Sequence, residues 1–343
     1  MKEIDNLLRD NIKSLTPYSS ARDEYQGDEA ILLDANENPF NTPYSRYPDP
    51  LQHQLKEKIS SIKQVPADQI FLGNGSDEPI DLIIRIFCEP RIDNIVAIEP
   101  TYGMYKVAAD INNVEYRKVL LSENFQLIAS KLLSAVDKNT KLIFLCSPNN
   151  PTGNCLDESE IVKVLNSFAG IVILDEAYMD FSGKKGFLER LTEFPRLVVL
   201  QTFSKAWGLA SIRLGMAFAS KQIIDALSKI KYPYNINILT QQNAIDALEN
   251  VEKKNDWINM IITNKTILIS ELEDCRVIRK IYPSDANFFL IKVDEPKMVY
   301  DYLVENKIIV RNRSNISLCA GCLRITVGTQ EENNTLTKVL KKY

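Results

Sequence analysis

Short apolar runs punctuate the first two thirds of the chain, and each breaks off in glycine, proline or polar residues. Ile70-Phe71-Leu72, Ile95-Val96-Ala97-Ile98, Leu142-Ile143-Phe144-Leu145-Cys146, Ile171-Val172-Ile173-Leu174 and Leu197-Val198-Val199-Leu200 have the length and composition of buried strands. They alternate with glycine turns and helical segments from roughly residue 50 to residue 230. That alternation predicts an α/β fold, with a mostly parallel sheet between layers of helices. After Tyr232-Pro233-Tyr234-Asn235 the pattern changes to long helical segments, Thr240 to Asn250 and Asn255 to Leu272. Shorter elements follow: strands at 286–293, 308–311 and 323–329, a helix at 299–305 and a basic terminal helix. At the other end, an N-terminal helix stops at the extended stretch around Pro17, and Ile31-Leu32-Leu33-Asp34-Ala35 reads as a short strand before a polar turn.

Strand ends are where α/β proteins build sites, and the polar residues at these ends are chemically specific. Just past Leu200 come Thr202, Ser204 and Lys205, with Arg213 eight residues beyond the lysine. A lone loop lysine is ordinarily a solvated residue. One that loses hydration beside a buried strand favours the neutral amine and can attack a carbonyl. Thr202, Ser204 and Arg213 are the hydroxyls and guanidinium that a phosphate needs, so together they suggest a phosphate-bearing carbonyl compound. Asp175 ends another buried strand and requires a cationic or hydrogen-bonding partner. Gly75-Ser76-Asp77 turns from a strand into a helix whose first turn carries Pro79, so Ser76 is a candidate N-cap and the exposed amides a candidate anion site. Asn149 and Asn150 sit between Pro148 and Pro151 in a rigid polar turn, and Tyr102 follows a strand closely enough to stack on a planar ligand.

The 343 residues are 45% hydrophobic and 25% charged, ordinary for a globular protein of about two domains. A net charge of -4 provides no positive field for nucleic acid. No run reaches the ~18 apolar residues of a membrane span, and the charged first residues lack a signal-peptide core, so a cytoplasmic protein is expected. Six cysteines do not make a disulfide scaffold in a chain this long. Cys319-Ala320-Gly321-Cys322 reads as a turn, and no metal site is expected. The single histidine, His53, falls on an amphipathic helix and reads as solvent-facing, which argues against serine-type triads. Proton transfer then falls to Lys205.

Ser204-Lys205-Ala206-Trp207-Gly208-Leu209-Ala210-Ser211-Ile212-Arg213-Leu214-Gly215 resembles the lysine motif of fold-type I aminotransferases, in the version found in their histidinol-phosphate branch. Trp207 and Ser211 are small departures from the commoner Phe and Gly. Leu15-Thr16-Pro17-Tyr18, Ala35-Asn36-Glu37-Asn38-Pro39, Asn150-Pro151-Thr152-Gly153 and Leu323-Arg324-Ile325-Thr326-Val327-Gly328-Thr329 resemble further motifs of that branch, in its order. The resemblance implies an N-terminal segment at 1–44, a large cofactor domain at 45–232 and a small C-terminal α+β domain at 233–343.

It also implies pyridoxal 5'-phosphate bound covalently to Lys205. Gly75, Ser76, Asp77, Thr202, Ser204 and Arg213 would surround its phosphate end, Tyr102 would stack on its ring, and Asp175 would pair with its ring nitrogen. Asn150 and Tyr178 would meet its phenolic oxygen. Tyr47 would reach the phosphate of a partner subunit across a homodimer interface. Tyr18, Arg311 and Arg324 would hold the substrate phosphate, with Asn150 also at the substrate. Tyr105 is expected to be packing, and Arg313 takes no role from the resemblance. The expected reaction interconverts L-histidinol phosphate and 2-oxoglutarate with imidazole-acetol phosphate and L-glutamate, in histidine biosynthesis. The alternatives are an aromatic or broad-specificity aminotransferase, a decarboxylase of phosphorylated amino acids, and a non-catalytic regulatory module.

Overall fold

The computed structural model describes residues 4–18, 31–40 and 43–343. Its largest element is a seven-stranded sheet: β1 (Ile70–Asn74), β2 (Asn94–Glu99), β3 (Glu115–Leu120), β4 (Thr140–Cys146), β5 (Ile171–Asp175), β6 (Leu197–Thr202) and β7 (Leu214–Ala219). The spatial order is β1-β7-β6-β5-β4-β2-β3. Strands β3, β2, β4, β5 and β6 run parallel, whereas β7 is antiparallel to both of its neighbours.

The apolar runs are continuous because both faces of the sheet are covered. Ile70, Leu72, Val96, Ile143, Leu145, Val172, Leu174 and Val199 join one core. Their alternate neighbours Phe71, Ile95, Leu142, Phe144, Ile171, Ile173, Val198 and Leu200 join the core on the opposite face. This is the two-residue period of a strand, buried twice over. Two strands escape the apolar-run signal. Strand β3 is a partly exposed edge carrying Arg117 and Lys118, and β7 alternates Leu214, Met216 and Phe218 with the small Gly215, Ala217 and Ala219, following the lysine segment without a break.

A second, four-stranded antiparallel sheet is built from β8 (Ile278–Ile281), β9 (Phe288–Val293), β10 (Arg311–Asn312) and β11 (Cys322–Thr326), in the order β10-β11-β9-β8. The strand expected at 308–311 is therefore shorter and shifted, beginning only at Arg311. The strand expected at 31–35 is absent: those residues belong to neither sheet, and Ile31 and Leu33 are 89% and 87% exposed. A run of apolar residues becomes a strand only where an edge accepts its amides, and none among the described residues does here. The helix Val251–Glu273 connects the two sheets, setting Ile258 against Tyr178, Ala206 and Phe288. Among the described residues no helix is long and apolar enough to cross a membrane.

Candidate active site

Parallel strands deliver their carboxyl ends to one edge of the sheet, and the register aligns them. Cys146 lies beside Asp175, and Asp175 beside Leu200, so the residues that follow each strand converge. They line one open cleft. Of the residues singled out from the sequence, Gly75, Ser76, Asp77, Tyr102, Asn150 and Asp175 face this cleft. Tyr178, Thr202, Ser204, Lys205 and Arg213 complete it.

One end of the cleft is an anion cradle. Gly75 sits at φ +70°, where a side chain is strained, and an added Cβ would lie 2.5 Å from Arg213 Nη2. Its amide donates to the Arg213 carbonyl at 2.7 Å, and Gly215 lies so close beneath that a Cβ there would meet the Ser76 nitrogen. The backbone of 75–76 is thus pressed against the start of β7, just before the helix Asp77–Phe87, whose amino end carries partial positive charge. Ser76 occupies the N-cap position, but its side chain makes no capping bond. Arg213 Nη2 stands 3.5 Å from Asp77 Oδ2, a half-exposed pair that leaves the guanidinium open to the cleft. The Ser204 amide donates to Thr202 Oγ1 at 3.0 Å, folding the lysine segment back over the strand end.

At the opposite side Asp175 is 3% exposed. Its carboxylate accepts the Tyr105 hydroxyl at 2.7 Å and the Ala177 amide at 3.1 Å, and it forms no salt bridge among the described residues, Lys205 acting on it only at longer range. Burial raises its pKa above the usual carboxylate value, against those two bonds, which lower it. Tyr105 is a contact that sequence reading did not find. It was legible only as a core residue on an apolar helix face, yet a fully buried tyrosine hydroxyl needs a partner, and that partner is the site carboxylate. Tyr102 donates to Asp77 Oδ1 at 3.0 Å and packs edge-on against Tyr105, ring centroids 5.6 Å apart. Cys146, expected to be core, lines the cleft floor with its thiol pKa pushed up by burial.

Lys205 enters between these halves, its Nζ 5.5 Å from the centre of the Tyr178 ring. Its pKa is lowered, first by desolvation and then by Arg324, with Asp175 opposing and Arg213 adding to the fall. Arg324 reaches in from β11: its Nη1 donates to Asn150 Oδ1 at 2.5 Å, and its guanidinium lies 5.1 Å from the Phe288 ring centre. Arg311 lines an adjoining cleft that shares Tyr102 and Asn150 with the first. Two candidates lie elsewhere in the chain. Tyr18 is 73% exposed and lines a separate groove, while Tyr47 is half-exposed and stacked on Tyr234 at 4.4 Å. His53 is exposed as expected and pairs with Asp49. The Cys319–Cys322 segment is a turn into β11. Among the described residues no cluster of three or more His, Cys, Asp or Glu could hold a metal.

A lysine with its pKa lowered by burial, a guanidinium beside a tight glycine turn and a buried carboxylate without a salt bridge line this one cleft. Residues 21–340 match the family Aminotransferase class I and II, and the chain belongs to that family. Within it the chain groups with the histidinol-phosphate aminotransferases. The protein of that name from Bacteroides thetaiotaomicron is 62% identical over 100% of this chain and 99% of its own length. In fold, the chain matches the crystal structure of the histidinol-phosphate aminotransferase from Clostridium acetobutylicum with a TM-score of 0.80 at 24% identity, covering 87% of this chain and 90% of that one. The enzyme of the same name from Sinorhizobium meliloti, crystallised in complex with pyridoxal-5'-phosphate, matches with a TM-score of 0.80 at 22% identity over 90% and 89% of the two chains.

Proposed function

We propose that this chain binds pyridoxal 5'-phosphate through Lys205 and transfers the amino group of L-histidinol phosphate to 2-oxoglutarate, giving imidazole-acetol phosphate and L-glutamate. This is a step of histidine biosynthesis, a role that goes with a cytoplasmic location. The observation that carries the reading is the convergence of Lys205, the Gly75–Arg213 cradle and the buried Asp175 in one cleft. The donor set fits the cofactor: a phosphate for the cradle and a protonated ring nitrogen for the buried carboxylate.

When bound, the cofactor supplies a carbonyl that condenses with amines and a cationic ring that accepts electrons from the substrate α-carbon. The protein does the rest. Lys205 Nζ, freed once the substrate's amine takes its place and with its neutral form favoured by burial and by Arg324, would take the proton from the substrate α-carbon. Asp175, oriented by Tyr105 and Ala177, holds the ring nitrogen in its protonated state. Asn150 has its Oδ1 engaged by Arg324, which leaves Nδ2 to donate toward the cofactor's phenolic oxygen, beside the Tyr178 hydroxyl. Tyr102 covers one face of the ring, and Arg311 and Arg324 hold the substrate's phosphate.

The functional unit is a homodimer in which Tyr47 reaches the partner's site, and its position outside the cleft of its own chain supports that arrangement; Tyr18 joins Arg311 and Arg324 at the substrate phosphate. The N-terminal segment, a large domain at 45–232 and a small one at 233–343 are the units it is built from, the two sheets falling on either side of residue 232. Steady-state assays of glutamate formation, varying both substrates, test the reaction. Parallel double-reciprocal lines are expected for amino-group exchange through one site. Intersecting lines, or carbon dioxide release in place of glutamate, would overturn it.

A further inference from the structure

The ribbon formed by β10 and β11 carries an arrangement that a folded protein ordinarily avoids. Arg311 is the direct cross-strand partner of Arg324. Arg313 continues the ladder, its amide donating to the Cys322 carbonyl at 2.9 Å. Side chains alternate along a strand, so Arg311, Arg313 and Arg324 emerge on one face. The opposite face belongs to the core of the small sheet, which takes Leu323 and Ile325. Like charges directly opposite one another weaken a sheet.

Arg324 has the Asn150 Oδ1 and the Phe288 ring for company, but no carboxylate among the described residues offsets the three charges. None of the three arginines forms an ion pair with a carboxylate among the described residues. The Nε atoms of Arg313 and Arg324 are buried and lack any hydrogen-bond partner, a costly state for a cationic donor. After desolvation, the charges of Arg324 and Arg311 are what most lower the pKa of Arg313. The cleft beside them also receives Lys106 and Lys118 against the single acid Glu99, and it opens through Tyr102 and Asn150 onto the Lys205 cleft.

We propose that Arg313 is a specificity-determining residue: the third guanidinium, with Arg311 and Arg324, of a site that selects a dianionic phosphate ester over a carboxylate at the reacting amine. The inference rests on the aminotransferase reading and adds to it a residue that the family resemblance leaves without a role. A phosphate monoester near pH 7 offers up to two charges and three strong acceptor oxygens, whereas a carboxylate offers one charge and two oxygens. Three guanidinium forks on one face match the first ligand and leave one fork unpaired with the second.

The test uses Arg313→Gln and Arg313→Lys in the cofactor-loaded protein, so that the cofactor's own phosphate site is already filled. In Arg313→Gln, kcat/KM for L-histidinol phosphate should fall roughly 10- to 100-fold, the usual range for losing a charged hydrogen-bonding partner. Its ratio to kcat/KM for L-glutamate should fall at least ~10-fold, and Arg313→Lys should recover part of that ratio. Independently of turnover, inorganic phosphate should raise the unfolding temperature of the parent protein more than that of Arg313→Gln. Without phosphate, the variant should be at least as stable as the parent, since a repulsion has been removed. Equal losses toward both amino donors, an unchanged rate with histidinol phosphate, or identical stabilisation by phosphate would each overturn the proposal. If the parent protein transaminates glutamate but ignores histidinol phosphate, the substrate assignment fails, and the phosphate stabilisation still decides the role of Arg313.

Discussion

Replacing Asp175 with asparagine separates the chemistry of the site from its architecture. The carboxylate is 3% exposed, holds two hydrogen bonds and forms no salt bridge among the described residues. Asparagine keeps the shape and can keep both bonds, because a tyrosine hydroxyl can accept as well as donate. What disappears is the charge facing the cofactor ring. Removing one member of a buried charge pair costs about 3–5 kcal/mol, a factor of roughly 10² to several times 10³ at 1.4 kcal/mol per decade. We therefore expect Asp175→Asn to lower kcat/KM for the amino donor by at least ~10²-fold.

The cofactor-free protein should respond in the opposite sense. Because burial raises the folded pKa of Asp175 above the ordinary 3.8, its ionised form opposes folding. That penalty grows as pH rises from the unfolded value through the folded one and is fully present above it. Asparagine removes it, so the cofactor-free variant should unfold at the parent's temperature or higher at pH 8. The paired assays are the amino-donor half-reaction of the loaded protein and thermal unfolding of the cofactor-free one. Turnover within threefold of the parent, or a large loss of stability without cofactor, would refute the role given to Asp175.

Lys205→Ala should abolish turnover and the visible absorption of lysine-bound cofactor while leaving the far-ultraviolet circular dichroism unchanged; residual turnover above ~1% would be incompatible with the mechanism. Gly75→Ala places a Cβ in a left-handed backbone 2.5 Å from Arg213 Nη2, so cofactor affinity, measured by titration of the absorption band, should fall ~10-fold or more. Glu176, buried beside Asp175 with the Phe187 amide at 2.6 Å, has its pKa raised from 4.5 to about 7 by desolvation. Between those values the folded state holds a proton that the unfolded state has lost, so stability should fall by up to ~3 kcal/mol as pH rises through this window. In Glu176→Gln that slope should flatten, as followed by denaturant unfolding at pH 4.5, 6 and 8; an identical slope in the variant would assign it to other groups.

The parts of this fold that announce themselves in the sequence are those buried on both sides. Strands β2, β4, β5 and β6 are uninterrupted apolar runs because the sheet is covered twice, and the breaks in those runs mark where Asp175, Asn150 and Lys205 enter the cleft. Edge strand β3 lacks that pattern because solvent lies on one side, and β7 is masked in the sequence because it alternates large and small residues and runs on directly from the lysine segment. Ile31 and Leu33 show the reverse failure, apolar residues for which the described residues supply neither a strand edge nor a cover. In the site, side chains at strand ends were legible because their position alone is informative. The Tyr105–Asp175 bond spans 70 residues and depends on how a helix packs on the sheet, which no local pattern encodes. The shared face of Arg311, Arg313 and Arg324 likewise required the register of β10 against β11.

The most direct test of the central claim is the visible spectrum of the protein loaded with pyridoxal 5'-phosphate, recorded during titration with L-histidinol phosphate and, separately, phenylalanine and aspartate. The account predicts that the band of lysine-bound cofactor is lost at low histidinol phosphate and restored by 2-oxoglutarate, with the other amino donors requiring far higher concentrations. A protein that shows no such band with added cofactor would contradict the aminotransferase reading, and a band bleached mainly by phenylalanine would contradict the substrate.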